Sequence, residues 1–215
     1  RPVAYAGDEG AVCETELFNL NTANAENYSA VMWSTSGDGN FVNENILNTS
    51  YEPGPDDIQN GSVVLSLEVT GIDPCNETVT DDMQLDIKLM PSSNAGSGGL
   101  ICANQQFIVT GASADNYSVL EWVTSGDGSF EDNSILNATY NPGSEDVENG
   151  FAELTLIAYN DPCDASQSSV VVDISPVPEV YAGPDAIVDF NSNLFLADAE
   201  VNNSSDLTWY TSGTG

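Results

Sequence analysis

The chain repeats itself, and that repetition governs every other reading. Trp33-Ser-Thr-Ser-Gly-Asp-Gly-Asn-Phe41 returns as Trp122-Val-Thr-Ser-Gly-Asp-Gly-Ser-Phe130 and begins again as Trp209-Tyr-Thr-Ser-Gly-Thr-Gly215. The three tryptophans are spaced 89 and 87 residues apart. Ala6-Gly7 recurs as Ala95-Gly96 and Ala182-Gly183, Cys13 aligns with Cys102, and Cys75 aligns with Cys163. Ile46-Leu-Asn-Thr-Ser-Tyr-Glu-Pro-Gly54 matches Ile135-Leu-Asn-Ala-Thr-Tyr-Asn-Pro-Gly143, and Asn60-Gly61 matches Asn149-Gly150. Landmarks kept in order at one period mark a tandem array of like units. The reading places whole copies at 1–91 and 92–178 and the first part of a third at 179–215. A half-built sandwich cannot bury its own core, so the sequence is expected to be a piece of a longer chain. The junctions Met90-Pro-Ser-Ser and Ser175-Pro-Val-Pro are short and proline-stiffened, which couples neighbours semi-rigidly.

Inside each copy the hydrophobic period is two, not 3.6. Val63, Leu65, Leu67 and Val69 alternate with other residues, as do Ala152, Leu154, Leu156 and Ala158 in the next copy. Met83, Leu85, Ile87 and Leu89 alternate with Gln84, Asp86 and Lys88. Phe18 and Leu20 answer to Phe107 and Val109, and Val31 and Trp33 to Leu120 and Trp122, then Leu207 and Trp209. These are half-buried strands with one solvated face, separated by Gly-Asp-Gly, Pro-Gly and Asn-Gly turns. About seven short strands in roughly ninety residues around a central Trp predict an all-β chain of tandem Ig-like (PKD-like) β-sandwiches. The Trp belongs to the core on the third strand. Tyr51 and Tyr140 read as packing residues that close one end, and no amphipathic helix is expected.

Charge narrows function. There are 34 Asp and Glu against 2 Lys and Arg, no His, and a formal charge of −32. Such a surface repels nucleic acid. An imidazole metal site or a catalytic His is impossible, and no apolar run reaches the ~18 residues of a membrane-spanning helix. Hydrophobic residues still make up 40% of the chain, so it folds and carries its acids outside.

The set Ala6-Gly-Asp-Glu-Gly-Ala-Val-Cys13, the Trp33–Phe41 segment, Tyr51-Glu-Pro-Gly-Pro-Asp-Asp-Ile-Gln-Asn-Gly61 and Pro74-Cys75 resembles the PKD/Ig-like tandem repeats of giant Bacteroidetes surface proteins. The gliding-motility adhesins of flavobacteria are examples. The resemblance runs through all three copies. It implies an extracellular filament or adhesin exported by type IX secretion, attached at the outer membrane, with a sorting domain further along. The third copy departs from the pattern, with Asp189 in place of the cysteine and Thr214 in place of Asp38 and Asp127.

Four cysteines in an extracytoplasmic repeat read as disulfides. Two pairings stand. Cys13–Cys75 and Cys102–Cys163 would close each copy on itself, while Cys13–Cys163 would staple neighbours. The within-copy pairing is the default, but the strand map puts Cys13 and Cys75 at opposite ends of one sandwich and a bridge needs Cα atoms within ~7 Å, so the two pairings stand level. Unpaired thiols are the third option. Asp38 and Asp127 in Gly-Asp-Gly turns, Asp57 and Asp146 after Pro-Gly, and Asp73 and Asp161 before proline form a candidate Ca²⁺ set, because hard oxygen donors on loops suit that ion. Asp also serves turns without any metal. All repeated acids are expected in turns or on solvated faces.

These readings give no catalytic residue and no resident cofactor beyond candidate Ca²⁺, and the chain is read as no enzyme. The expected function is a stalk or spacer, with part in surface adhesion or gliding. The alternatives are a glycan- or polymer-binding module and an accessory repeat of a secreted hydrolase. Expected partners are neighbouring repeats of the chain, surface glycans, and outer-membrane motility or secretion proteins.

Overall fold

A computed structural model describes residues 1–189 and 192–213. The first copy runs β1 (Val3–Tyr5), β2 (Gly10–Cys13), β3 (Phe18–Asn19), β4 (Asn24–Glu26), β5 (Tyr28–Thr35), β6 (Asn40–Phe41), β7 (Ser50–Glu52), α1 (Pro55–Asn60), β8 (Ser62–Gly71) and β9 (Thr78–Lys88). One sheet has the order β2-β9-β8-β5 and the facing one β3-β7-β6, with β1 paired to β4. β2 runs parallel to β9, with Cys13 opposite Lys88, and the other pairs are antiparallel.

The second copy repeats the plan: β10 (Ser92–Asn94), β11 (Gly99–Cys102), β12 (Phe107–Ile108), β13 (Ser113–Asp115), β14 (Val119–Thr124), β15 (Ser129–Phe130), β16 (Thr139–Asn141), α2 (Ser144–Asn149), β17 (Phe151–Asn160) and β18 (Cys163–Ser175). Its sheets are β11-β18-β17-β14, β12-β16-β15 and β10-β13. Of the third copy, β19 (Glu179–Tyr181) pairs with β20 (Glu200–Asn202), as β1 does with β4. The molecule is thus all-β, built of Ig-like sandwiches in tandem.

Alternation decides the cores. Val63, Leu65, Leu67 and Val69 are all buried, as are Ala152, Leu154, Leu156 and Ala158. One core gathers buried residues between Ala6 and Ile87, and a separate one those between Ala95 and Ile174. Trp33 lies in the first core, its ring stacked at 5.8 Å on Phe41, which meets Tyr51 at 4.9 Å. The Trp33 indole N–H donates to the Leu47 carbonyl at 3.1 Å, satisfying the one polar atom of a buried ring. Trp122, Phe130 and Tyr140 repeat the cluster. In the third copy Leu207 and Trp209 are exposed, because no described residues form the counterparts of β8 and β9 that would cover them.

One expectation fails locally. Two six-residue helices follow the Pro-Gly turns where none was foreseen. No amphipathic period can show in a helix this short. Its marks are terminal: Pro55 at the first helical position, Asp57 at the third, and Gly61 in the left-handed region at φ 74° to end it.

Candidate functional site

Two features recur in both complete copies: an acidic clamp at one edge and a cysteine at each end. The clamp ties α1 to the Gly-Asp-Gly turn. Asp57 is 1% exposed, and Asp146 matches it. Asp57 Oδ2 accepts from the Tyr51 hydroxyl at 2.6 Å and from the backbone N–H groups of Gly54 and Gly39 at 3.0 Å each. Across the turn, Asp38 Oδ1 accepts from the N–H groups of Asp56 and Asp57 at 3.1 and 3.3 Å. Each aspartate therefore caps the backbone that carries the other. Tyr140, Asp146, Gly143 and Asp127 build the same arrangement in the second copy.

This explains why Gly, Asp and Gly stand together. A Cβ on Gly37 would run into the Asp57 carboxylate. Burial, then the bond to Asp57, pushes the Tyr51 phenol up to about 12, and the same causes act on Tyr140. Burial alone would raise Asp127, but the N–H groups of Glu145 and Asp146 and the Ser144 hydroxyl hold its carboxyl below the ordinary value. The expectation that every repeated acid lies in a turn or on a solvated face is corrected at Asp57 and Asp146, which lie in the short helices and are buried because the capping bonds replace water.

The six aspartates do not converge. Asp38 meets Asp57, and Asp127 meets Asp146, but Asp73 and Asp161 lie at the β8–β9 and β17–β18 connections, where Asp73 accepts from the Asn76 amide at 3.4 Å. Among the described residues no three His, Cys, Asp or Glu side chains gather as a metal site. In the clamps Asp38 Oδ1, Asp57 Oδ2, Asp127 Oδ1 and Asp146 Oδ2 each accept one or more backbone N–H groups. Thr214 lies outside the described residues, and Asp189 is exposed.

The cysteines mark the ends. Cys13 closes β2 and Cys163 opens β18, and the two are bonded to each other with Cα atoms 4.9 Å apart. The within-copy pairs Cys13–Cys75 and Cys102–Cys163 are thereby corrected. Cys75 follows β8 at the far end of the eleven-residue β9 from Lys88, the residue opposite Cys13, a span of roughly 35 Å. Cys75 and Cys102 are free and exposed.

Around the bond the joint is dressed with hydrogen bonds. The Asn160 amide donates to the Leu89 carbonyl at 2.9 Å, the Asn116 amide to the Met90 carbonyl at 3.2 Å, and the Met90 N–H to Glu14 at 2.8 Å. A hollow of about 200 Å³ lined by Val180, Tyr181, Leu207 and Trp209 belongs to the third copy. Leu207 and Trp209 sit at the positions of Val31 and Trp33, and of Leu120 and Trp122, which are core in the other two copies, so the hollow is an uncovered core face and not a built pocket. No helix among the described residues is long and apolar enough to cross a membrane.

No protein-family model and no curated protein matches the chain. Among solved structures it is similar to an E-to-A mutated three-Ig fragment of titin, I67–I69, with TM-score 0.49 and 10% identity over 85% of this chain and 69% of that one. It is also similar to Drosophila N-cadherin EC1–4, with TM-score 0.36 and 14% identity, covering 80% of this chain. The chain spans about half the length of that cadherin fragment. The N-terminal eight Ig domains of Down syndrome cell adhesion molecule give TM-score 0.33 at 13% identity, over 84% of this chain and 29% of that one.

Proposed function

We propose that the chain is a non-catalytic spacer segment whose job is to hold distance under tension. The observation that carries this is the Cys13–Cys163 bond between successive copies. It spans a sequence separation of 150 residues. Force applied at the two ends enters through β1 and β2, crosses the sulfur bridge, and leaves along β18. Most of both sandwiches lies off that path, so they are not pulled open. β2 and β11 add shear-resistant parallel pairing to the long strands β9 and β18. The charge of −32 keeps neighbouring segments apart.

The finer reading is a stalk or filament of a giant cell-surface adhesin of the gliding-motility type, exported by type IX secretion and attached at the outer membrane. It is supported by the resemblance of the repeats and by the disulfide, which suits an oxidising compartment outside the cytoplasm. Buried, backbone-capped clamp carboxylates favour a structural use of the repeated acids over a catalytic one.

Single-molecule stretching tests the mechanical reading. In the oxidised chain the segment between Cys13 and Cys163 stays locked at forces that unfold a sandwich. Reductant adds the hidden length, roughly 500 Å at ~3.4 Å per residue. Equal extension in both redox states overturns the proposal.

A further inference from the structure

The two cysteines left unpaired occupy the same places as the two that are bonded. Cys75 holds in the first copy the position of Cys163, each in an Asp-Pro-Cys run after the penultimate strand. Cys102 holds in the second copy the position of Cys13. Cys13 stands opposite Lys88 in a parallel pair and Cys102 opposite Ser175, and Glu14 and Ala103 donate alike to those residues' carbonyls at 2.9 and 2.8 Å.

The surroundings of Cys75 match one side of the formed joint. Beside Cys75 is an open hollow of about 250 Å³ lined by Arg1, Pro2, Asn27 and Ile72. The Asn27 amide donates to the Arg1 carbonyl at 3.3 Å, as Asn116 does to Met90 at 3.2 Å, so Arg1 stands where Met90 stands at the formed joint. There the corresponding space is filled by the end of β9, with the Lys88 carbonyl 3.3 Å from Cys163 Sγ. At the other end, the Asn203 amide donates to the Val177 carbonyl at 3.3 Å, the third appearance of that bond. Val177 therefore stands to the third copy as Met90 stands to the second, and Cys102, free and exposed, lies opposite Ser175 two residues before it. One contact does not carry over: Ile72 replaces Asn160 and cannot donate.

We propose that Cys75 and Cys102 are open halves of the same inter-module disulfide. Cys75 bonds the Cys13-position cysteine of a further copy of this repeat packed ahead of Arg1. Cys102 bonds the Cys163-position cysteine of the copy that follows it. The array is then stapled at successive joints, and Asp189 in place of cysteine leaves out the staple beyond the third copy. This rests on the joint geometry within the spacer reading. Joining two thiols removes two protons and two electrons, so an oxidant is needed, and a low-molecular-weight disulfide such as glutathione disulfide supplies it. The first thiolate attacks that disulfide and expels one glutathione thiolate. The second thiolate attacks the protein sulfur of the mixed disulfide and expels the other.

The test is a fusion that places a duplicate of residues 1–89 directly ahead of Arg1 of the full chain, the duplicate marked by A11S at an exposed position and carrying C75S, so that the only Cys75 present is the native one. After refolding with glutathione disulfide, acid-specific proteolysis and mass mapping should link the marked Cys13 peptide to Cys75. The native Cys13–Cys163 bond in the same digest reports that the copies have folded. Cys75 still alkylatable while that bond is present, or Cys75 joined to Cys102, overturns the proposal. The 215-residue chain gives a second measurement. Under native conditions N-ethylmaleimide must label Cys75 and Cys102 and spare Cys13 and Cys163; protection of Cys75 overturns the proposal as well. Neither readout depends on stretching, so this inference and the mechanical one fail separately.

Discussion

The Tyr51 hydroxyl donates a 2.6 Å hydrogen bond to the buried Asp57 carboxylate, and 89 residues later Tyr140 does the same to Asp146. The bond joins the end of the β3-β7-β6 sheet to the helix that leads into the other sheet, so it bridges the two layers of the sandwich. It also fills an acceptor that water cannot reach.

Removing either partner should therefore be costly in different degrees. Y51F deletes one charge-assisted bond and should cost about 1.5–3 kcal/mol. D57A deletes the acceptor for Tyr51, Gly39 and Gly54 together and should cost more, with D57N between the two. Guanidinium unfolding followed by tryptophan fluorescence measures this, since Trp33 and Trp122 report one core each. Equal stability of Y51F and the parent chain would show that the bond adds nothing.

Alkaline pH should unfold the clamp. Both phenols are raised from 10.0 to about 12 in the folded state. The folded protein thus holds a proton that the unfolded chain releases first. The stability from this source is whole below pH 10 and declines as pH climbs from 10 through 12. Tyrosinate absorbance should show at least two of the eight tyrosines titrating late, and Y51F/Y140F should take two phenols out of that late phase.

Two glycines separate space from conformation. G37A puts a methyl into the Asp57 carboxylate and should cost about 1–3 kcal/mol or more by overpacking. Gly61 has nothing within 4 Å of a Cβ but sits at φ 74°, so G61A should cost only about 1–2 kcal/mol, through left-handed backbone strain. Chemical denaturation of the two variants side by side checks the order.

Cys13→Ser should lower stability by about 5 kcal/mol on the chain-entropy account of a 150-residue closed loop. It should also let the two sandwiches unfold independently. A single Trp transition that persists unchanged in C13S would contradict this.

Stability should rise with salt because screening relieves a net charge of −32. At matched ionic strength, adding CaCl₂ or a chelator should shift the thermal midpoint little, since the clamp carboxylates are engaged by backbone donors. A saturable, stoichiometric rise with Ca²⁺ would restore the aspartate set as a metal site.

Much of this architecture was legible in one dimension. Period-two alternation selects Leu65, Leu67, Leu154 and Leu156 as interior, because a strand sends successive side chains to opposite faces whatever surrounds it. The repeated Trp and Phe name an aromatic cluster for the same local reason. The helices were missed because six residues carry no period. Asp57 and Asp146 were misplaced because an isolated acid after Pro-Gly is usually wet, and only folding brings Tyr51, Gly39 and Gly54 around it.

The chain's own order thus determines what each copy is: an alternating β unit with a fixed interior, set by interactions between near neighbours on a strand. Which cysteine meets which was decided by the tertiary structure. A repeat period says that Cys13 and Cys102 are equivalent, but a covalent bond forms between ends that touch. Those ends meet only because β9 carries the chain away from Cys75 and delivers Lys88, beside Cys13, to the mouth of the next sandwich, where Cys163 waits.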